Sequence, residues 1–458
     1  MIIDAERIKT YISANFPQFG INKRRQLARL LYEIAKREQC DYQELLKEAS
    51  QTRRDFPHLK RQLMRRRFPM LTENERNACD DLSELDINPD YQIRLKKKPL
   101  ILPKRFFIET SVMDSDLVKR LQVRFPSIPQ VPISTYKEFT AQTPWSIGDY
   151  NQRTDNFFLV RENFDFYKAC PCAPQSLHCG YHVVNLGSGC AFECAYCYLQ
   201  DYLNGPGIVV PANIENFFDQ FAKYKQNIRV GSGELTDSLI FDHLTGYASM
   251  IVDFFKKYPG STFEFKTKSN NIDGLLSVTP GENIVISWSL NPQTVIETTE
   301  FQTASLTERL EAARKCVAAG YKVAFHFDPI IYYVNWENDY RNLIQQTFAQ
   351  IDQSCIAWLS LGTLRMTTRL KKIIENRFPQ NTILDEEFLS GHDGKLRYSP
   401  RLRTEIYTKM KEWILSRAPQ VYLYLCMEEK EVCGTCETAP LKSFVKEFQI
   451  MKKQSCKK

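Results

Sequence analysis

Cys190-Ala-Phe-Glu-Cys194-Ala-Tyr-Cys197 sets three thiols in a C-x3-C-x2-C run. Spacing this short confines the sulfurs to one tight loop, so all three can converge on one inorganic cluster. Three cysteines hold three corners of a 4Fe-4S cube and leave the fourth iron open to a small molecule. Four cysteines would make a cluster that only passes electrons. The chemistry implied is redox activation of a ligand held on iron. Two plainer readings use the same residues: a zinc knuckle short of one ligand, or three buried thiols packed as small hydrophobes.

The loop needs a scaffold, and the chain downstream supplies a regular one. Strands are expected at 181–185, 227–230, 262–267, 284–289, 322–327, 356–361 and 421–425, with helical patterns between them. Strand–helix repeats of this length build a parallel sheet with right-handed crossovers. The expected fold class is therefore α/β, a partial (β/α)6 TIM-like barrel, with site residues on loops after the strand C-termini. The three-cysteine loop follows the first of these strands. The domain layout reads as a small helical basic domain over 1–70, a linker over 71–102 and a mixed α/β subdomain over 103–180. The barrel follows over 181–440 and a basic tail over 441–458. In the first domain Leu27, Leu30, Leu31 and Ile34 recur at helical spacing.

Composition narrows the class. With 43% hydrophobic residues the chain can bury a core, and no apolar run approaches the length of a membrane span. The N-terminus lacks a signal-peptide h-region, so the 14 cysteines point to a reducing, cytoplasmic setting and metal chemistry rather than disulfides. The net charge of +7 is uneven: residues 1–76 hold 17 Lys/Arg against 10 Asp/Glu, and the remainder is balanced. Lys60-Arg61, Arg65-Arg66-Arg67 and Lys96-Lys97-Lys98 are the densest basic runs. A basic module on a neutral body suits a polyanion such as nucleic acid, although a charge run is more often a solvated face.

Four successive strands end in groups able to hold a polar ligand. They are Gly233-Glu234-Leu-Thr236-Asp237 after the second, Lys266-Thr267-Lys268 after the third, Ser287-Trp-Ser289-Leu-Asn291 after the fourth, and His326-Phe-Asp328 after the fifth. With the cysteine motif and the aromatic Tyr196 before its last cysteine, the chain resembles radical S-adenosylmethionine (SAM) enzymes. More closely it resembles the spore photoproduct lyase family and its wider DNA repair photolyase branch. The resemblance runs from about Pro103 to Cys436. It includes Arg105-Phe-Phe-Ile-Glu109, Cys170-Pro-Cys172, Cys194-Ala-Tyr196-Cys197-Tyr198-Leu-Gln200, Gly233-Glu234-Leu-Thr236-Asp237-Ser238, Phe265-Lys266-Thr267-Lys268-Ser269 and Phe325-His326-Phe-Asp328-Pro329.

The resemblance implies reductive cleavage of SAM to a 5′-deoxyadenosyl radical that abstracts hydrogen from a substrate, in the archetype a thymine dimer in duplex DNA. It implies Cys190, Cys194 and Cys197 as iron ligands, Tyr196 near the adenine, and Thr236, Lys268 and Ser289 as SAM contacts. Tyr198 matches a tyrosine that passes a hydrogen atom back. An external electron donor such as flavodoxin or ferredoxin is implied as well. Asp237 and Asn291 complete the expected SAM-binding set, and Glu234, His326 and Asp328 join Tyr198 as expected catalytic residues. One departure matters. Where the archetype carries a radical-quenching cysteine after the second strand, this chain has Glu234, and a carboxylate is a poor hydrogen-atom donor.

Cys170, Cys172, Cys179, Cys426, Cys433 and Cys436 form a candidate second metal site, or a set of buried thiols. Tyr332, Tyr333 and Trp336 could stack on an unpaired base or cap a core, and Arg365 is a candidate phosphate contact. Two functions remain in view: a radical SAM enzyme acting on nucleic acid, and one modifying a protein, peptide or small molecule with the N-terminal helices as a protein-interaction module.

Overall fold

The computed structural model describes residues 3–77, 84–93, 102–162, 167–171, 180–202, 205–224 and 227–429, with positions 79, 82 and 432 besides. Lys96–Lys98, Cys172, Cys179, Cys433, Cys436 and the expected tail over 441–458 lie outside the described residues. Contacts divide the chain into two units, Met1–Arg94 with Leu364–Arg403, and Leu95–Thr363 with Thr404–Lys458. The expected helical module over 1–70 thus shares its unit with a segment that follows the sixth barrel strand.

In the first unit, helices Ala5–Asn15, Ile21–Glu38, Tyr42–Ala49 and Phe56–Arg67 pack around Leu27, Leu30, Leu31 and Ile34. Asp4, Asp41 and Asp55 cap three of them by accepting first-turn N–H groups that no intrahelical carbonyl can satisfy. Beneath the apolar stripe lies a buried ion network. Arg67 donates to Glu33 at 2.6 Å, Arg29 donates to Glu33 at 2.6 Å and to Glu375, and Lys371 lies 3.5 Å from Glu33. These cations hold the buried Glu33 carboxyl well below its ordinary pKa against the cost of desolvation.

The network corrects the reading of the Arg65–Arg67 run. Arg67 is 2% exposed and belongs to the core. Arg66 is clamped by Glu38 at 2.8 Å and Glu48 at 2.5 Å, and Arg65 faces Glu73 at 3.4 Å. Composition registers three equal cations, but the fold buries Arg67 in an ion network and sets Arg65 and Arg66 beside carboxylates at the surface. Arg365 sits in a small antiparallel sheet with Arg397 in this same unit.

The second unit carries two sheets. The smaller is parallel, in the order Gln130–Ile133, Arg105–Glu109, Asn156–Val160, Ile208–Pro211. The larger is the site-bearing sheet. Its strands are β1 (Tyr181–Val184), β2 (Arg229–Ser232), β3 (Thr262–Thr267), β4 (Ile284–Ser289), β5 (Lys322–Ile330), β6 (Ile356–Thr363) and β7 (Leu423–Leu425). All seven run parallel in sequential order, and the antiparallel edge strand Tyr167–Ala169 pairs with β1. Sequential parallel order with helical crossovers makes an open, curled half-barrel. Apolar runs such as Ile284–Ile286 are buried on both faces, as a parallel sheet covered by helices requires. Helix Leu306–Ala318 shows how local chemistry sets the boundaries. Ser305 and Glu308 form a capping box at its start, and Gly320, with φ +102°, turns the chain just past its end.

One polar layer ties the strands together. Glu264 on β3 accepts from Arg229 on β2 and pairs with His326 on β5, each at 2.7 Å, while the other ring nitrogen of His326 lies 2.5 Å from Ser360 on β6. The Arg229 guanidinium stacks 4.0 Å from the Trp358 ring centre. The Tyr181 hydroxyl covers Gly231 so closely that a Cβ there would meet it at 1.8 Å, so β2 needs glycine at this point.

Candidate active site

The C-terminal ends of β1 to β4 bring most of the expected residues to one place. The loop after β1 carries Cys190, Cys194 and Cys197, the first two buried and the third half-buried. Arg153, 1% exposed, braces this loop from outside the motif. Its guanidinium donates to the Cys190 carbonyl at 2.7 Å, the Phe192 carbonyl at 2.7 Å and the Glu193 carboxylate at 2.5 Å, and it lies 4.0 Å over the Tyr150 ring. Gln200 closes the other end, its amide donating to the carbonyls of Cys194, Ala195 and Cys197. The loop's middle pairs with a two-residue strand, Cys194 opposite Glu300.

Glu300 is the second anchor. Fully buried, it accepts hydrogen bonds from the Tyr196 hydroxyl, from Asn291 at 2.8 Å and from Arg309 at 2.6 Å. Arg309 also donates to the carbonyl of Ser289 at 2.8 Å. Asn291 in turn accepts from Tyr340 at 2.6 Å. Burial disfavours the Glu300 carboxylate, but Arg309 and Lys268 outweigh that and hold its pKa near 2. Burial likewise opposes the Lys268 ammonium, and Glu300 overcomes it and raises the pKa. Lys268 stands 5.7 Å from the Tyr196 ring centre, and its charge is felt at Cys194 and Cys197. Burial pushes the Cys190 thiol up to about 12 and raises the other two, so thiolates form here only with a compensating positive charge such as iron.

Asp237 stitches the loop after β2 to the end of β3. It accepts from the Thr267 hydroxyl at 2.7 Å and from the backbone N–H groups of Lys268, Leu239 and Ile240 at 2.7, 3.0 and 3.1 Å. Both carboxylate oxygens are thus engaged by the protein. Glu234 pairs with Lys168 on the edge strand at 3.1 Å. Tyr198 is half-buried, its ring 5.5 Å from that of Tyr202. His326 lies in the polar layer with both ring nitrogens bonded, and burial, reinforced by Lys266, lowers its pKa to about 4, so it is neutral at pH 7. Asp328 packs on Gly362, where a Cβ would come within 2.8 Å of its carboxyl carbon. Trp336 is buried against Trp413, as the core-capping reading has it, and the half-buried Tyr333 donates its hydroxyl to Asp339 at 2.6 Å. Arg153, Glu300, Arg309 and Glu264 were invisible to motif reasoning. A buried arginine and its carboxylate lie far apart in sequence and leave no spacing pattern.

The residues fit an iron–sulfur cluster with a bound polar ligand. Among the described residues no group of three His, Cys, Asp or Glu converges on a single metal-ion position. Zinc needs its donors on one ion. A cube's cysteines each bind a different iron, and the C-x3-C-x2-C loop supplies three of them. The Thr236 hydroxyl oxygen is buried with no hydrogen-bond partner among the described residues, beside Gly187, where a Cβ would lie 2.9 Å from the Val209 carbonyl. A buried unpaired hydroxyl is costly unless a ligand meets it. Of the proposed second site only Cys170 and Cys426 are described.

A parallel half-barrel with three clustered cysteines after its first strand defines the radical SAM class of enzymes. The spore photoproduct lyase family model matches residues 102–424, and the chain belongs to that family. It is 26% identical over 338 residues to a spore photoproduct lyase of Bacillus subtilis (strain 168), covering 70% of this chain and 95% of that one. It is 32% identical over 269 residues to the Geobacillus sp. (strain Y412MC61) protein, covering 56% and 77%. A solved spore photoproduct lyase mutant with bound AdoMet and dinucleoside spore photoproduct superposes with a TM-score of 0.63 at 26% identity, covering 73% of this chain and 100% of that one. Among the described residues no helix is long and apolar enough to cross a membrane.

Proposed function

We propose that this radical SAM enzyme holds a 4Fe-4S cluster on Cys190, Cys194 and Cys197 and acts on nucleic acid, repairing a lesion or modifying a base. When bound, the cluster supplies the electron that cleaves SAM to a 5′-deoxyadenosyl radical. The observation that carries the reading is the three-cysteine loop locked by Arg153 and Gln200 beside the Lys268–Glu300–Arg309 group.

The chain's own residues then have separable tasks. Lys268, kept charged by Glu300, pairs with the SAM carboxylate. Thr236 meets the ligand with its unpaired hydroxyl, and Tyr196 and Asn291, fixed by Glu300, line the same wall with Ser289. Asp237 positions the Lys268 backbone rather than touching ligand. His326 and Glu264 keep the sheet in register. Nucleic acid is favoured because a relative's solved structure carries a dinucleoside lesion at the matching fold. Glu234, paired to Lys168, cannot donate a hydrogen atom, so radical quenching falls to Tyr198 or to 5′-deoxyadenosine. A base must leave its stack to reach a buried cofactor.

The test is anaerobic turnover with labelled SAM on irradiated and plain DNA. Reductant-dependent 5′-deoxyadenosine is expected from the wild type, with label or product change confined to one DNA. Cys194→Ala should abolish both iron–sulfur absorbance and 5′-deoxyadenosine. Wild-type amounts from that variant would end the proposal.

A further inference from the structure

The basic residues of the first unit fall into two sets, those in ion pairs and those without one among the described residues. Residues 1–76 hold 17 Lys/Arg. Ten of these are in ion pairs: Arg7, Lys9, Arg25, Arg29, Lys36, Arg37, Arg65, Arg66, Arg67 and Arg76. By difference, 17 − 10 = 7 remain without one among the described residues, namely Lys23, Arg24, Lys47, Arg53, Arg54, Lys60 and Arg61.

Four of the seven, Lys23, Arg53, Arg54 and Lys60, gather around one group of rings. The Lys23 ammonium lies 5.5 Å from the Phe56 ring centre and the Arg54 guanidinium 5.6 Å from that of Phe16. Phe16 stacks on Phe19 at 5.0 Å, and Phe19 meets Phe56 edge-on at 5.9 Å. Phe16 is a core ring and Phe19 and Phe56 are half-buried over it, so one ring cluster links Lys23 to Arg54. Arg53 is exposed beside Arg54, and Lys60 lies one helical turn beyond Phe56 on the same face. Asp55, the acid nearest in sequence, is occupied as an N-cap, accepting from the His58 N–H at 3.0 Å.

We infer that Lys23, Arg53, Arg54 and Lys60, set around Phe19 and Phe56, form the surface that docks the nucleic-acid backbone, and that the Arg65–Arg67 run does not. Cations without protein counter-charges are those whose condensed ions a polyanion can displace, and displacement of those ions drives backbone binding. Paired cations such as Arg66 would first have to break two ion pairs. The half-buried rings between the cations offer an apolar floor for sugars and bases. This inference rests on the nucleic-acid reading proposed above.

The test uses the full-length chain and a fluorescein-labelled 20-base-pair duplex, with anisotropy followed against salt concentration. At about 0.9 per phosphate, loss of four contacts should flatten the log–log salt slope by roughly 3 to 4. The variant is Lys23→Ala/Arg53→Ala/Arg54→Ala/Lys60→Ala. The control Lys257→Ala/Arg314→Ala/Lys315→Ala/Lys322→Ala removes equal charge from exposed positions of the other unit. Circular dichroism melting checks that both variants fold. Flattening in the first variant alone supports the assignment. Wild-type slope in the first variant, equal flattening in both, or tighter binding of the wild type to poly-glutamate than to duplex overturns it. No salt-dependent DNA binding by the wild type would instead sink the nucleic-acid reading itself.

Discussion

Removing Arg153 should cost the enzyme its cluster before it costs the fold. In Arg153→Met the two loop carbonyls and the Tyr150 carbonyl lose a donor, and the buried Glu193, 5% exposed, loses the guanidinium that pairs with it at 2.5 Å. Hydrogen bonds to a charged group contribute about 1.5–3 kcal/mol each. Stranding one member of a buried pair costs about 3–5 kcal/mol. Part of this is recovered when the Glu193 side chain moves, so a net loss of about 3–5 kcal/mol is expected, concentrated in the loop. At about 1.4 kcal/mol per decade, 3 kcal/mol on loop ordering lowers occupancy of the competent conformation by about a hundredfold. The measurement is iron and acid-labile sulfide per folded chain after anaerobic reconstitution, alongside urea unfolding of the apo-protein. Arg153→Met should bind far less iron than wild type, and Arg153→Met/Glu193→Gln should regain stability without regaining iron. Full iron content in the folded fraction of Arg153→Met would refute the reasoning, because the guanidinium would then be a packing element and no brace.

Two further outcomes follow from the same network. Lys268→Ala should weaken SAM binding about ten- to hundredfold, the value of one charge-assisted hydrogen bond, and unchanged affinity by calorimetry would remove Lys268 from the ligand site. His326 has a folded pKa near 4 against an ordinary 6.5, so the unfolded chain takes up the proton first. Stability from its neutral form is complete above pH 6.5 and is lost as pH falls toward 4, by about 3 kcal/mol in all. His326→Gln should flatten that stretch of the apo-protein's stability–pH curve, and a curve identical to wild type would show that another group governs it.

The cysteine loop was legible because its chemistry is local. Three thiols within eight residues must share one loop whatever the rest of the chain does. The parallel half-barrel was equally legible, since apolar strands alternating with helices have one favourable way to pack. The grouping of the polar strand ends Thr236, Lys268 and Asn291 followed, because in that fold the C-terminal ends of successive strands lie at one rim. Asp237 was legible as part of this cluster, but its protein partners were not. Only the structure shows its oxygens spent on Thr267 and the Lys268 backbone.

Composition also established that the first 76 residues carry the whole excess of positive charge. It could not say which cations remain available, because ion pairing links residues such as Arg67 and Glu33, or Arg29 and Glu375, that no local pattern connects. The same holds for Arg153 and Glu193, Glu300 and Arg309, and Arg229 and Glu264. Spacing along the chain determines which donors share a loop. Which buried charges face one another, and so which side chains are fixed and which stay free for a ligand, is decided only when packing excludes water and forces each buried charge to find a partner.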